Sequence, residues 1–145
     1  MSETVQIKAP WLASKDPEVP STLSYSTLSM CGRVEEMVRQ YPNYIAYEFM
    51  GKTTTYAEMW QKINACAKSL KAIGIREGDK VTICMPNAPQ TLCMFYAVNM
   101  VGAIANMVHP LSAESEISFY LRDSNSVAAI TLDQFYDKFE HIRQN

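Results

Sequence analysis

Apolar residues recur along this chain with helical spacing in some segments and as short continuous runs in others. Residues 55–89 show both patterns in succession: an amphipathic helix, a glycine turn, a buried strand and the start of a second helix. The first helix carries one apolar stripe at i, i+3, i+4 and i+7 spacing. The stripe consists of Tyr56, Met59, Trp60, Ile63, Ala67, Leu70 and Ile73, and the side chains predicted to face water are Gln61, Lys62, Asn64 and Lys68.

Local signals predict both ends of this first helix. Thr55 and Glu58 fit a capping box, in which each side chain accepts a hydrogen bond from the other residue's backbone N–H. Gly74 stands where a left-handed C-cap is needed, and Ile75 follows it to fold back onto Leu70 in a Schellman turn. The short apolar run at 81–85 then predicts a strand that is covered on both faces.

The same criteria predict the elements before and after this stretch. They are a helix from Ser29 to Gln40; a hairpin of Tyr44–Met50 and Lys52–Thr54, with Ile45, Tyr47 and Phe49 on one face; a deeply buried helix that Asn87 begins and Gly102 ends; a buried strand, Ala103–Val108; a helix capped by Ser112, with Ile117, Tyr120 and Leu121 facing inward; a strand, Val127–Thr131; and a last helix marked by Phe135, Tyr136, Phe139 and Ile142.

Alternating helices and strands predict an α/β fold with right-handed crossovers. We expect a three-layer αβα arrangement around a mainly parallel sheet, preceded by an extended N-terminal arm and a short β-hairpin. The proline-containing residues 1–28 form the arm, and residues 29–145 form the α/β subdomain.

Composition and charge narrow the functional class. The 13 Lys+Arg residues are scattered singly against 15 Asp+Glu, so we expect no nucleic-acid partner. We expect no secretory signal, because the third residue is acidic and the first residues contain no apolar h-region, and we expect no transmembrane segment, because the most apolar run is too short and too interrupted. The four cysteines form no C-x-x-C pair, which is typical of reduced thiols in a cytoplasmic protein.

Motifs that would carry chemistry are absent from the sequence. It has neither G-x-G-x-x-G nor G-x-x-x-x-G-K-[ST], and no G-x-S-x-G, so we assign no catalytic, cofactor-binding or metal-ligating residue. Ligands of open α/β sheets bind beyond the carboxyl ends of the strands. Two residues predicted to lie there, Asn87 and His109, are therefore candidates for lining a crevice; the alternative for His109, which we favour, is an ordinary loop residue before Pro110.

An ordered set of short motifs resembles the N-terminal region of AMP-forming acyl-CoA synthetases, over about residues 35–132. The motifs are Thr55-Tyr56, Gly74-Ile75, Gly78-Asp79-Lys80-Val81, Met85-Pro86-Asn87 and Gly102-Ala103. Ala9-Pro10-Trp11-Leu12 and the His109-Pro110-Leu111 loop, where the family pattern has an Asn-Pro pair, are most similar to medium- and long-chain fatty acid-CoA ligases.

The resemblance implies an enzyme that converts a small-molecule carboxylic acid and Mg-ATP into an acyl-adenylate, and then into a thioester of CoA. Its phosphate loop, its adenine- and ribose-binding segments and its catalytic lysine have no counterpart before Asn145, so ATP, Mg and CoA are implied only for a full-length enzyme. We expect this chain to be an N-terminal fragment that is inactive alone. The remainder of the same polypeptide would cover an apolar face of the fragment, and we expect the fragment to self-associate through that face. The alternative is a free-standing, non-catalytic α/β module that binds a ligand or a protein.

Overall fold

The computed structural model describes residues 9–144. After a 3-10 turn at Pro10–Ser14, the elements are α1 (Met30–Gln40), β1 (Ile45–Phe49), β2 (Lys52–Thr55), α2 (Tyr56–Ala72), β3 (Lys80–Cys84), α3 (Pro89–Val101), β4 (Ile104–Met107), α4 (Glu114–Asp123), β5 (Ala128–Thr131), a second 3-10 turn (Asp133–Phe135) and α5 (Tyr136–Gln144). No side chain is buried between residues 9 and 30, so this part of the arm contributes nothing to the core.

The main sheet has the strand order β4-β3-β5, and both pairs are parallel. From β3 the chain moves to β4 on one side of it, and from β4 it crosses over β3 to reach β5 on the other side. The two crossovers therefore run in opposite directions along the sheet. Right-handed crossovers then require α3 and α4 to lie on opposite faces of the sheet. The predicted three-layer α/β fold with a parallel sheet and a separate hairpin is thereby confirmed.

Side chains of the central strand alternate between two cores. Val81 and Ile83 pack with α2 and α3 in the larger core. Cys84 points to the other face, where it packs with Ile117 of α4 and with side chains of α5. All of these residues are fully buried, as expected for a strand covered on both sides.

The predicted ends of α2 are confirmed. Thr55 Oγ1 accepts from the Glu58 N–H at 3.3 Å, and Glu58 Oε2 accepts from the Thr55 N–H at 2.8 Å. At the other end Gly74 has a φ of 93°, and the Ile75 N–H donates to the Leu70 carbonyl at 3.0 Å. Ile73, assigned to the apolar stripe, is instead 71% exposed, because the Schellman turn brings Ile75 onto the core in its place.

The predicted starts of two later helices are wrong by one residue. Ala88, not Asn87, is the N-cap of α3, because Pro89 occupies the first helical position, where it needs no N–H partner. Ala113, not Ser112, is the N-cap of α4. The Ser112 N–H donates to the His109 carbonyl in the preceding turn, and Glu116 Oε2 accepts from the Ala113 N–H at 3.1 Å.

Three predicted burial patterns are also wrong. A bulge between Ile45 and Tyr47 breaks the alternation of the hairpin, so Ala46 and Tyr47 both pack toward the core while Ile45 is exposed. Tyr120 is exposed because it lies on the outer side of α4. The strand at 103–108 is only partly buried: β4 is an edge strand, and Ile104 and Met107 are 52% and 51% exposed.

Candidate functional site

The candidate site lies at the carboxyl edge of the sheet, between β3 and β5. These strands are neighbours, but α3 follows β3 on one face and α5 follows β5 on the other. Their connections therefore diverge, which leaves a crevice beyond the strand ends. Met85 and Leu132, directly after these two strands, line this crevice.

Two hydrogen bonds hold the end of β3 in place. Thr91 Oγ1, buried in the first turn of α3, donates to the Pro86 carbonyl at 2.6 Å. Thr131 Oγ1, at the end of β5, donates to the Cys84 carbonyl at 3.0 Å. The loop from β3 to α3 is thus tied both to the helix that follows it and to the neighbouring strand.

A first cleft, which we call the hairpin cleft, separates β1 from α3 and has a volume of about 400 Å³. It is lined by Tyr47, Glu48, Phe49, Asn87, Ala88, Pro89, Thr91, Leu92, Phe95 and Tyr96. The Phe95 and Tyr96 rings meet edge to face at 5.4 Å between centroids. Asn87 therefore lines an aromatic and aliphatic cleft, although α3 itself does not use its side chain as a cap.

A second cleft, which we call the sheet-edge cleft, opens directly at the ends of β3 and β5 and has a volume of about 510 Å³. It is lined by Tyr47, Lys62, Cys66, Met85, Pro89, Gln90, Cys93, Met94, Ile130, Thr131 and Leu132. Lys62 Nζ donates to Tyr47 Oη at 3.2 Å and lies 5.7 Å from the centre of the Tyr47 ring. The cleft thus combines mostly apolar walls with one ammonium group.

His109 belongs to a different part of this edge, the loop after β4. Its ring is exposed, and Nδ1 accepts from the Leu111 N–H at 3.3 Å. Lys138 of α5 fixes the same loop by donating to the Pro110 carbonyl at 3.3 Å and to the Ser112 carbonyl at 2.9 Å. Asn87 lines the hairpin cleft, whereas His109 lines neither of the two clefts. Whether either residue contacts a ligand stays a prediction.

Burial raises the pKa values of the two thiols that line the sheet-edge cleft, Cys66 and Cys93. Burial raises the pKa of the Cys93 thiol, and the neighbouring Cys66 raises it further, while Lys62 has a smaller opposing effect. Burial likewise raises the pKa of Cys66. Nowhere in residues 9–144 do three or more His, Cys, Asp or Glu side chains converge in a way that could hold a metal ion.

Lys62 is the site residue that sequence reasoning missed, because it was assigned only to the water-facing side of α2. Its i+4 spacing to Cys66 places both residues on the same side of the helix. The position of Tyr47 could not be predicted from the sequence, because a bulge in the hairpin turns this side chain toward α2.

Comparisons with known proteins show what this chain is similar to. The family described as "AMP-binding enzyme" matches residues 34–145. A long-chain-fatty-acid-CoA ligase of Bacillus subtilis is 30% identical over 134 residues, which are 92% of this chain and 24% of the ligase. The N-terminal domain of FACL13 from Mycobacterium tuberculosis superposes with a TM-score of 0.77 at 30% identity, over 82% of this chain and 31% of that one.

The chain thus spans about a quarter of the length of the Bacillus subtilis ligase. Within the part that the structure describes, no helix is long and apolar enough to cross a membrane. The resemblance to AMP-forming acyl-CoA synthetases is confirmed, and since the family match covers most of its residues, the chain belongs to the AMP-binding enzyme family.

Proposed function

We propose that this chain is an N-terminal part of an ATP-dependent fatty acid-CoA ligase. The observation that carries the proposal is that one folded body, from α1 to α5, coincides with the family match and superposes on the N-terminal domain of FACL13. A relative that matches 92% of the chain is named a long-chain-fatty-acid-CoA ligase. We infer the same reaction class for the complete enzyme.

That reaction has two steps. A carboxylate oxygen of the fatty acid attacks the α-phosphorus of Mg-ATP, which forms an acyl-adenylate and releases pyrophosphate. The thiol of CoA then attacks the acyl carbonyl, loses its proton and displaces AMP, which leaves a thioester. We assign no residue of this chain to ATP, Mg or CoA, since residues 1–145 contain no glycine-rich phosphate loop with a lysine.

The contribution of this chain is architectural. It supplies the β4-β3-β5 sheet, the helices on both of its faces and the carboxyl-edge clefts. Ile104 and Met107 on the edge strand β4 and Phe119 on α4 are exposed apolar side chains, and we place the remainder of the polypeptide along this edge of the sheet. Free thiols at all four cysteines are consistent with a reducing compartment, and we place the enzyme in the cytoplasm.

The test compares residues 1–145 with the product of the gene's complete reading frame. We expect the reading frame to continue into a Ser/Thr/Gly-rich loop with a lysine, and its product to release pyrophosphate from ATP and a fatty acid and to form acyl-CoA. The 145-residue chain should release none. A natural stop codon directly after Asn145 would instead favour the free-standing binding module.

A further inference from the structure

We propose that the sheet-edge cleft binds one monovalent copper ion, Cu(I), through sulfur alone, with the thiolates of Cys66 and Cys93 and the thioethers of Met85 and Met94 as ligands. The ion takes no part in acyl transfer, so this site goes beyond the proposed ligase function and does not depend on it. The choice of ion follows from the atoms that line the cleft, from the packing of the two helices that carry them, and from charge.

Two thiols and two thioethers line this one cleft. Cys66 comes from α2, and Met85 directly follows β3. Cys93 and Met94 are consecutive residues of α3. Both cysteines are free thiols, and no C-x-x-C motif marks the site in the sequence because the two thiols come from different helices. Thiolate and thioether sulfurs are soft ligands that select Cu(I).

The two thiols are neighbours on helices that pack against each other. Cys93 is 3% exposed and belongs to the larger core, and Cys66 packs against the same core. The Cys66 thiol also raises the pKa of Cys93, an electrostatic effect that weakens with distance. Met85 is buried in this core, and Met94 packs against it. A Cu(I) ion between α2 and α3 can thus take one thiolate from each helix.

Other common metal ions lack their preferred ligands in this cleft. No residue that lines it is His, Asp or Glu. Structural Zn²⁺ sites use four thiolate, imidazole or carboxylate ligands, and Mg²⁺ and Ca²⁺ require oxygen ligands. With only two thiols present, the remaining donors are thioethers, which complete the ligand set of a soft ion such as Cu(I).

Charge also favours a monovalent ion, because apolar walls penalise any uncompensated charge. When Cu(I) replaces the proton of one thiol, that proton passes to water, the net charge of the cleft is unchanged, and copper keeps its oxidation state. Replacing the second thiol proton by a bond to the same ion leaves one negative charge. The Lys62 ammonium, at the exposed rim of the cleft, favours the thiolate of Cys93 and opposes this charge.

The first experiment titrates residues 1–145 with Cu(I) under anaerobic conditions, in competition with a coloured Cu(I) chelator. We expect one Cu(I) per chain. Loss of a partner outside the ligand set already costs a metal site about tenfold to a hundredfold in affinity, so Cys93→Ala should weaken Cu(I) by at least that much. The matched control is Cys31→Ala, which removes an equally buried thiol outside the cleft and should leave the affinity unchanged.

A second pair of variants tests the thioethers. Replacing both Met85 and Met94 by Leu removes two sulfur atoms and nearly preserves the side-chain volume. We expect this double variant to weaken Cu(I) about tenfold. The control replaces Met59 and Met100 by Leu, because these are also one buried and one partly buried methionine, and neither lines the cleft.

A third measurement needs no substitution. X-ray absorption at the copper edge of the one-to-one complex should show sulfur neighbours only, and one equivalent of Cu(I) should slow the alkylation of the half-buried Cys66 by iodoacetamide. Equal affinities of Cys93→Ala and Cys31→Ala, equal affinities of the two double variants, nitrogen or oxygen ligands on copper, or unprotected Cys66 would each overturn the proposal. The ligase reaction is tested separately by pyrophosphate release, so the two proposals fail independently.

Discussion

Gly102 ends α3 with a φ of 84°, and Glu77 lies against the space where a side chain would begin. A Cβ built there would be 3.0 Å from Glu77 Cγ and 3.3 Å from Glu77 Cβ. Gly74 ends α2 in the same type of turn with a φ of 93°, but a Cβ there would meet nothing within 4 Å. Comparing the same substitution at these two glycines therefore separates the free-energy cost of backbone strain from the cost of a steric clash.

We expect Gly102→Ala to destabilise the protein more than Gly74→Ala. Either substitution places an alanine in the left-handed region, at a cost of about 1–2 kcal/mol. Only Gly102→Ala must also displace Glu77. The measurement is the free energy of unfolding in urea for both variants. Equal losses would show that Glu77 moves aside without cost.

The capping box makes a second prediction at the scale of the residue. Hydrogen bonds from the backbone N–H and the hydroxyl of Thr55 lower the pKa of Glu58. A carboxyl with a lowered pKa stabilises the fold above its ordinary pKa, and this stabilisation is lost as the pH falls through the lowered value. Thr55→Ala removes the hydroxyl, so we expect a loss of about 1 kcal/mol and a rise in the pKa of Glu58.

NMR titration of the Glu58 carboxyl in both proteins checks the second part of this expectation. Thr53→Ala is the control, because Thr53 is exposed on the hairpin outside the helix cap. An unchanged pKa in Thr55→Ala would contradict the contribution of the hydroxyl.

At the scale of the element, a buried polar network joins β3 and β4 to the turn before β5. Thr82 Oγ1 accepts from Asn106 Nδ2 at 2.9 Å and lies 2.7 Å from Ser126 Oγ. Asn106 also donates to Ser124 Oγ at 3.1 Å. The network holds the end of α4 on the sheet. Because Thr82 is fully buried, this holds only while the polar atoms of the network remain paired with one another.

Thr82→Val preserves the shape of this side chain and removes its hydroxyl. The half-buried Asn106 then loses one of its acceptors, and we expect a loss of about 1–3 kcal/mol in the free energy of unfolding. Thr53→Val, on the exposed hairpin, should change stability by less than about 0.5 kcal/mol. Denaturant unfolding compares the two, and similar small losses would mean that water replaces the Thr82 hydroxyl.

Most elements were predictable because their signals are local. The capping box, the glycine C-caps and the apolar period each involve residues within one or two turns, which suffices for α2, α3 and the central strand. The predictions were wrong where the local structure depends on contacts or residues that the local signal does not include. The bulge at Ile45 follows from how β1 packs on the core, and the start of α3 depends on Pro89 rather than on the hydrogen-bonding side chain of Asn87.

At the scale of the whole molecule, the exposed apolar side chains of the edge strand β4 bear on association of the chain with itself. Apolar edge strands without charged residues pair with other chains, and 103–108 contains none. We expect residues 1–145 to self-associate with rising concentration and Met107→Lys to oppose this. Light scattering measures both. Ile73→Lys, at the exposed end of α2, is the matched control, and a strictly monomeric protein at high concentration would contradict the prediction.

The amino-acid sequence alone determined the order of helices and strands, the caps of α2 and the family of the chain, because neighbouring residues carry these signals. Only the tertiary structure decided which residues line the candidate site. Tyr47 of the hairpin, Lys62 of α2 and Thr131 of β5 meet at one cleft although long stretches of chain separate them. Asn87 and His109 follow neighbouring strands, yet only Asn87 lines the hairpin cleft, whereas His109 belongs to a loop that Lys138 of α5 holds by a hydrogen bond.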